Sequence, residues 1–217
     1  MTNQLEVTGM ILQCTPIGEN DRRVLLLTKE LGKISAFAKG SRKPNSHLGG
    51  KITPFTFGVF KLYAGRSSYT LTSVKVSNYF SDLREDLIAI SYGMYFLDLA
   101  EYYSREGNDE REMLKLLYQT CRALTHSSFK PELVRCIFEW KAFAIQGIAP
   151  PSSDYPNESE STRYTMEFIV CSPIERLYSF QVTDEVLHAL RHIVQAYGKR
   201  QYDKQFKSLE ILEMMIE

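Results

Sequence analysis

Acidic residues are absent from a quarter of this 217-residue chain: between Glu30 and Asp82 there is none. Other absences narrow what the chain can do. No run of about 18 apolar residues occurs, so no membrane span is expected. Residues 1–14 lack the basic start, apolar middle and small-residue cleavage site of a signal peptide, which predicts a cytoplasmic protein. The four cysteines, Cys14, Cys121, Cys136 and Cys171, lie far apart without a CxxC pair. Zinc and other metals have no support from that spacing, and buried thiols are expected. Spacing alone leaves a disulfide open, although a cytosolic chain keeps its thiols reduced. There is no GxxxxGK[ST], GxGxxG or GxSxG, and His188 and His192, four apart, have no third ligand. No cofactor and no catalysis are therefore expected.

What is present is charge, unevenly placed. The chain totals 26 Lys+Arg and 26 Asp+Glu, yet residues 1–80 are net +7 and residues 81–217 net −7. The acid-free stretch holds eight bases: Lys33, Lys39, Arg42, Lys43, Lys51, Lys61, Arg66 and Lys75. Arg22 and Arg23 precede it. Such asymmetry points to a module for a polyanion joined to a different one. The densest cluster, AKGSRKPNS at residues 38–46, sets Lys39, Arg42 and Lys43 around Gly40 and Pro44, as expected of a sharply turning exposed loop.

The structural signals change where the charge does. Short runs rich in β-branched and aromatic residues, at 5–12, 23–28, 34–39, 55–63 and 69–76, predict five strands separated by turns at Pro16–Asn20, Glu30–Gly32, Pro44–Gly50 and Gly65–Ser68. Five short strands in about 80 residues suggest an OB-fold barrel. From Asp82 the apolar period becomes helical: Leu87, Ile90, Met94 and Leu97; Met113, Leu116, Leu117 and Cys121; Leu133, Ile137, Trp140 and Ala144. Asp109 with Glu112 resembles a capping box, Pro131 suits a first turn, and Thr183 opens a helix through His192. A last helix is expected at about 206–216. Residues 150–160 read as an exposed loop, followed by a strand-like stretch at 164–170. The expectation is an α+β chain: an OB-fold over residues 1–80, then a helical domain over 81–217 with an irregular insert at about 150–180.

A basic barrel without catalytic motifs suits nucleic acid. Cations along a groove neutralise phosphates and release counterions, and aromatic faces add base stacking on single strands. Ten bases are candidates for DNA contact: Arg22, Arg23, Lys33, Lys39, Arg42, Lys43, Lys51, Lys61, Arg66 and Lys75. Among Phe37, Phe55, Phe57, Phe60, Tyr63 and Tyr69, most should fill the barrel, leaving one or two, such as Tyr63 or Tyr69, for stacking. The alternative is an interaction scaffold whose barrel binds a protein or structured RNA.

The series GMILQCTPIGENDRRVLLLTKELGKISAFAKGSRKPNSHLGG, residues 9–50, resembles the RecO recombination mediators of bacteria in the order of its strand, turn, LLT strand, GK reversal and basic loop. The likeness continues more weakly through PELVRCIFEWKAFAIQGIAP, residues 131–150, and FKSLEILEMM, residues 206–215. It implies an OB-fold that binds single-stranded and duplex DNA, strand annealing, and help in loading RecA onto coated DNA in the nucleoid. It also implies a helical domain that binds RecR and the acidic C-terminal tail of single-stranded DNA-binding protein (SSB). Arg135 matches the position of a family arginine near the tail-binding pocket, so Arg135, Phe138, Lys141 and Lys207 become candidates for partner binding. An internal pair of Arg135 with Glu132 or Glu139 is the competing expectation. Many members carry two CxxC pairs where this chain has PSSDYPNESESTRYTMEF, so the zinc module is absent or degenerate here.

Overall fold

Strict alternation over Gly32–Ala38 sets the pattern of the first half: Ile34, Ala36 and Ala38 are buried, while Lys33, Ser35 and Phe37 point outward. The same period repeats in the neighbouring strands. In a computed structural model, which describes residues 3–216, five strands form a closed barrel in the order β1-β2-β3-β5-β4. They are β1 (Gln4–Ile17), β2 (Asp21–Thr28), β3 (Gly32–Ala38), β4 (Phe57–Ala64) and β5 (Tyr69–Asn78). All pairings are antiparallel except β3 with β5, a short parallel contact at Ala36↔Tyr69 and Phe37↔Thr70. This is the five-stranded OB arrangement.

Val7, Ile11, Val24, Leu26, Ile34, Phe60, Leu62 and Leu71 fill the interior. Each such side chain contributes about 1.5–3 kcal/mol by leaving water. Leu48 and Ile52, from the connection between β3 and β4, join that core, so this connection is seated rather than draped. Strand β1 is longer than the sequence suggests. It carries Pro16 and Ile17 to the partners Arg22 and Asp21, and only Gly18–Asn20 make the turn. Phe55, placed in a strand by the sequence reading, is instead a buried residue with a left-handed backbone ahead of β4.

Seven helices follow among the described residues: α1 (Ser81–Glu85), α2 (Leu87–Tyr103), α3 (Arg111–Leu124), α4 (Pro131–Ile145), α5 (Glu160–Cys171), α6 (Asp184–Gln201) and α7 (Lys207–Ile216). None of the described helices is long and apolar enough to cross a membrane. Helix α4 is buried on every side from Leu133 to Phe143, with the charged Arg135, Glu139 and Lys141 inside along with its apolar residues. Pro131 occupies its first turn, and Thr183 caps α6 by accepting from the Val186 N–H.

Two local readings are corrected. Residues 164–170 form part of α5, not a strand. Ser159 caps this helix by accepting from the Thr162 N–H, and Thr162, Thr165, Met166 and Ile169 bury one helical stripe, which overrides the local β-branched composition. The capping box at Asp109 does not form either. Asp109 accepts from the Arg111 N–H at 3.2 Å and grips the Arg111 guanidinium instead.

The chain divides into two compact units, one holding the five strands with Leu97–Leu114, the other holding Asp82–Phe96 and the chain from Lys115 onward. In the barrel, Gly9 and Gly58 are register partners at the point where β1 passes from pairing β4 to pairing β2. A Cβ on Gly58 would lie 2.3 Å from the Lys75 carbonyl oxygen, so only glycine lets the backbones approach. Gly58→Ala should therefore destabilise the chain by about 2–3 kcal/mol, read as a lower urea midpoint by circular dichroism. An unchanged midpoint would mean that the strands part freely at this corner.

Candidate nucleic-acid interface

The outward residues of β2 and β3 build a groove. Arg23 is the register partner of Phe37, and its Nε donates to Ser35 Oγ at 2.7 Å. The hairpin between β4 and β5 forms the other wall. It is closed by Gly65 N–H donating to the Ser68 carbonyl at 2.9 Å, and it brings Arg66 and Tyr69 to the same groove. The space enclosed is about 590 Å³. Two guanidiniums and two aromatic rings thus share one concave surface on the strand 2–3 face, where OB-folds bind oligonucleotides.

The basic connection begins directly after β3, at Lys39. The connection is tied to the turn between β1 and β2. Gly40 N–H donates to Asp21 Oδ1 at 2.7 Å, Arg42 N–H to the Asn20 carbonyl at 2.9 Å, and an Arg42 guanidinium N–H to the Gly18 carbonyl at 2.9 Å. Arg22 donates to the Gly49 carbonyl at 3.2 Å, and His47 Nε2 meets the Thr72 carbonyl at 2.9 Å. Gly40, at φ 65°, makes the turn that sends the chain back over this platform. Lys39, Arg42, Lys43 and Lys51 remain exposed, and among the described residues none of them pairs with a carboxylate. Backbone carbonyls and one aspartate hold the loop in shape, leaving its charge uncancelled.

The other candidate bases are distributed differently. Arg22 is half-buried and serves as an anchor of the loop. Lys33 Nζ donates to the Glu101 carbonyl at 2.6 Å, so this lysine ties β3 to the end of α2 within the same unit. Lys61 and Lys75 are exposed on β4 and β5, where Lys61 faces Glu6 and Ser73. In the closed order β4 neighbours β1 and β5, so Lys61 lies across the barrel from β2 and β3. The ten bases therefore do not make one track. Arg23 and Arg66 share the groove; Lys39, Arg42, Lys43 and Lys51 lie on the anchored connection; Lys61 and Lys75 are on β4 and β5 and do not line the groove.

Among the aromatics, Phe55 and Phe60 are core. Tyr63 is 47% exposed but on the β4 side. Tyr69 and Phe37, both half-buried, are the rings that line the groove. Sequence reasoning grouped Phe37 with the aromatics but did not place it in the groove; its alternation with buried Ala36 and Ala38 was the available signal. Glu106 also lines the groove. It lies outside the first 80 residues, and no local motif announces it.

In the helical unit three of the four partner-binding candidates lie inside the fold. Arg135 is 6% exposed; its Nε donates to Glu139 Oε1 at 2.7 Å, and its guanidinium sits 5.3 Å from the Tyr95 ring centroid. Burial alone would lower the Arg135 pKa, but Glu139, Tyr95 and Glu213 outweigh it and keep the guanidinium charged. The internal pair anticipated as the alternative is thus the one formed. Phe138 is fully buried, 4.5 Å from Phe96 between ring centroids. Lys141 Nζ donates to the Val170 and Ser172 carbonyls at 2.7 and 2.8 Å, fastening the end of α5 to α4. Only Lys207 is exposed, at the start of α7. Among the described residues no cluster of three or more His, Cys, Asp or Glu is arranged to hold a metal.

The anchors of the basic loop can be tested separately from its charges. Asp21→Ala leaves Gly40 N–H without its acceptor and raises the net charge. Trypsin should then cut at Lys39 or Arg42 several-fold faster, because local opening governs cleavage of a loop. An unchanged cutting rate would show that Leu48 and Ile52 hold the connection without Asp21.

Comparison with known proteins points the same way as this surface. The family profile described as recombination protein O N terminal matches residues 1–80, and the one described as recombination protein O C terminal matches residues 84–155. The chain is 26% identical over 245 residues to the DNA repair protein RecO of Acetivibrio thermocellus, covering 98% of each chain. It is 29% identical to the RecO of Alkaliphilus metalliredigens over 84% of this chain and 77% of that one. It is 35% identical to the RecO of an Anaeromyxobacter species over 69% of this chain and 59% of that one. With both profiles matched in order and a barrel of OB topology beneath the first, the chain belongs to the RecO family of DNA repair proteins.

Proposed function

We propose that this chain is a non-catalytic DNA repair and recombination mediator that binds strands across its barrel, anneals complementary strands and helps load RecA onto SSB-coated DNA. The observations that carry the reading are Arg23, Arg66, Phe37 and Tyr69 together in one groove, and Lys39, Arg42 and Lys43 exposed on the anchored loop and, among the described residues, without ion pairs. Phosphates would run along the cations, each contact releasing condensed counterions. Bases would stack by their faces on Phe37 and Tyr69, which leaves their Watson–Crick edges free. A strand held by backbone and faces can still pair with its complement, and two neutralised strands repel each other less. Annealing follows from that arrangement without any bond being made or broken.

The helical unit, with its acidic balance, would supply the contacts to protein partners, RecR and the SSB tail. Arg135, Phe138 and Lys141 would support that surface from beneath, since their polar and apolar contacts are internal. Lys207 is the candidate that stands in solvent.

The deciding experiment measures annealing of complementary oligonucleotides, bare and SSB-coated, beside single-strand affinity at several salt concentrations. With about five phosphates neutralised, log affinity should fall with log salt at a slope of roughly −3.5. Replacing Lys39, Arg42 and Lys43 by Glu should flatten the slope to roughly −1.4, slow annealing and leave the melting temperature close to that of the parent. A parent that neither binds strands nor anneals them would leave the scaffold reading, in which the barrel engages protein or structured RNA. A triple variant that anneals as well as the parent would remove the loop from the strand path.

A further inference from the structure

The groove contains one group that opposes a phosphate. Glu106 lines it together with Arg23 and Arg66, although the strands themselves contribute no acid between Glu30 and the end of β5. The carboxylate comes from the segment after α2, which the same compact unit includes. That segment is fixed by backbone, not by its side chain. Glu106 forms a bridge with Gly32, Lys33 N–H donates to the Arg105 carbonyl at 3.0 Å, and Gly107 N–H donates to the Leu31 carbonyl at 3.0 Å. Arg105 N–H in turn donates to Glu110 Oε1 at 2.9 Å. Gly32 has φ 68°, and a Cβ there would lie 2.3 Å from the Arg105 carbonyl oxygen, so the segment is seated against the β2–β3 turn as closely as a glycine allows. Among the described residues Glu106 makes no salt bridge, with Arg23 or Arg66 or any other base. Its carboxylate is exposed and makes no ion pair, on a backbone that the bridge holds in place.

We propose that Glu106 is a built-in restraint on strand affinity: a positioned negative charge that offsets part of the attraction of Arg23 and Arg66 for phosphate, so that the groove holds single-stranded DNA weakly enough to give it up on pairing. The inference rests on the groove reading above. Opposite unit charges that line one groove at a partly hydrated surface interact strongly enough to change affinity several-fold. The effect is electrostatic, so salt screens it. A protein that anneals strands must release the product, and an acid within the cationic groove shortens residence without removing the contacts that recruit the strand.

The test uses the full chain and a fluorescently labelled oligo(dT), with binding by anisotropy, dissociation by stopped flow and fold by thermal melting. Glu106→Gln keeps the shape and the backbone bridge. It should bind about threefold to tenfold more tightly at low salt, dissociate correspondingly more slowly, show a steeper salt slope and lose the gain at high salt, with an unchanged melting temperature. Glu106→Ala should do the same, which separates charge from hydrogen bonding. Arg23→Gln with Arg66→Gln tests the underlying site independently. If that pair loses affinity while both Glu106 variants bind as the parent does, the groove stands and the restraint is wrong. If the arginine pair binds like the parent, the groove reading falls and the restraint with it. Weaker binding by Glu106→Gln, greater on oligo(dC) than on oligo(dT), would make Glu106 a reader of base edges and would also overturn the proposal.

Discussion

Barrel closure rests on the two parallel register pairs between β3 and β5, and the candidate groove exists because of them. After the connection and β4, the chain returns in the first residues of β5 to the end of β3, so Ala36 and Phe37 lie beside Tyr69 and Thr70. That contact is short, and neighbours reinforce it from inside. Ala36 and Ala38 are small, which makes room for Phe60, Leu62 and Leu71 in the interior, while Leu48 and Ile52 fill in from the connection itself. The same junction sets Phe37 and Tyr69 facing outward with Arg23 on one side and the Gly65–Ser68 hairpin on the other. Closing the sheet and shaping the groove are one event. A substitution that weakened the pairing would blunt both, which is why charge changes in the exposed loop are the cleaner probe of function.

The two units treat charge in opposite ways. In the helical unit the buried cations are paired or fully hydrogen-bonded: Arg135 with Glu139, and Lys141 with two carbonyls on α5 and just beyond it. Removing either partner of such a pair costs about 3–5 kcal/mol, so these side chains are committed to structure. On the barrel most cations are exposed, and backbone carbonyls, with the Asp21 carboxylate on the loop backbone, hold their surroundings in place. Arg42 meets Gly18, Arg22 meets Gly49, and the backbone of the loop meets Asn20 and Asp21. Carbonyl acceptors fix geometry without cancelling charge. That distinction, not the number of lysines, separates a surface that can attract a polyanion from one that is merely solvated.

Much of the fold was legible in the sequence because the period of burial changes sharply near residue 80. Five strand patterns gave the barrel, and the helical stripes gave α2, α3, α4, α6 and α7. Residues 164–170 misled because their β-branched and aromatic composition suits a strand over seven residues, whereas the stripe from Thr162 to Ile169 and the cap at Ser159 only emerge over a longer window. The candidate site was legible in kind but not in membership. Composition identified a basic barrel, yet it could not distinguish Lys33, spent on the Glu101 carbonyl, from Lys39, which stands in solvent. Nor could it separate Lys61 from Arg23, since strand order in a closed barrel is a property of non-local pairing. Likewise Arg135 and Phe138 look like recognition residues in one dimension, and only the burial of α4 on all sides shows that they face inward.

The acid-free stretch acquires its meaning from the segment that interrupts it in space. Read along the chain, residues 31–81 are a field of one sign, and such a field would bind any polyanion tightly and release it slowly. Folding adds Leu97–Leu114 to the same unit, a segment with six acids against two bases, and so tempers the field where the strand would lie. Most of those acids are occupied or peripheral: Asp109 holds Arg111, and Glu110 accepts from the Arg105 backbone. Glu106 alone among them lines the groove. A surface meant only for affinity would gain from a neutral residue at that position, at no structural cost, because the backbone makes the bridge to Gly32. Retaining a charge there is consistent with an interface whose task is transient, in which the grip on one strand has to be weaker than the grip of that strand on its complement.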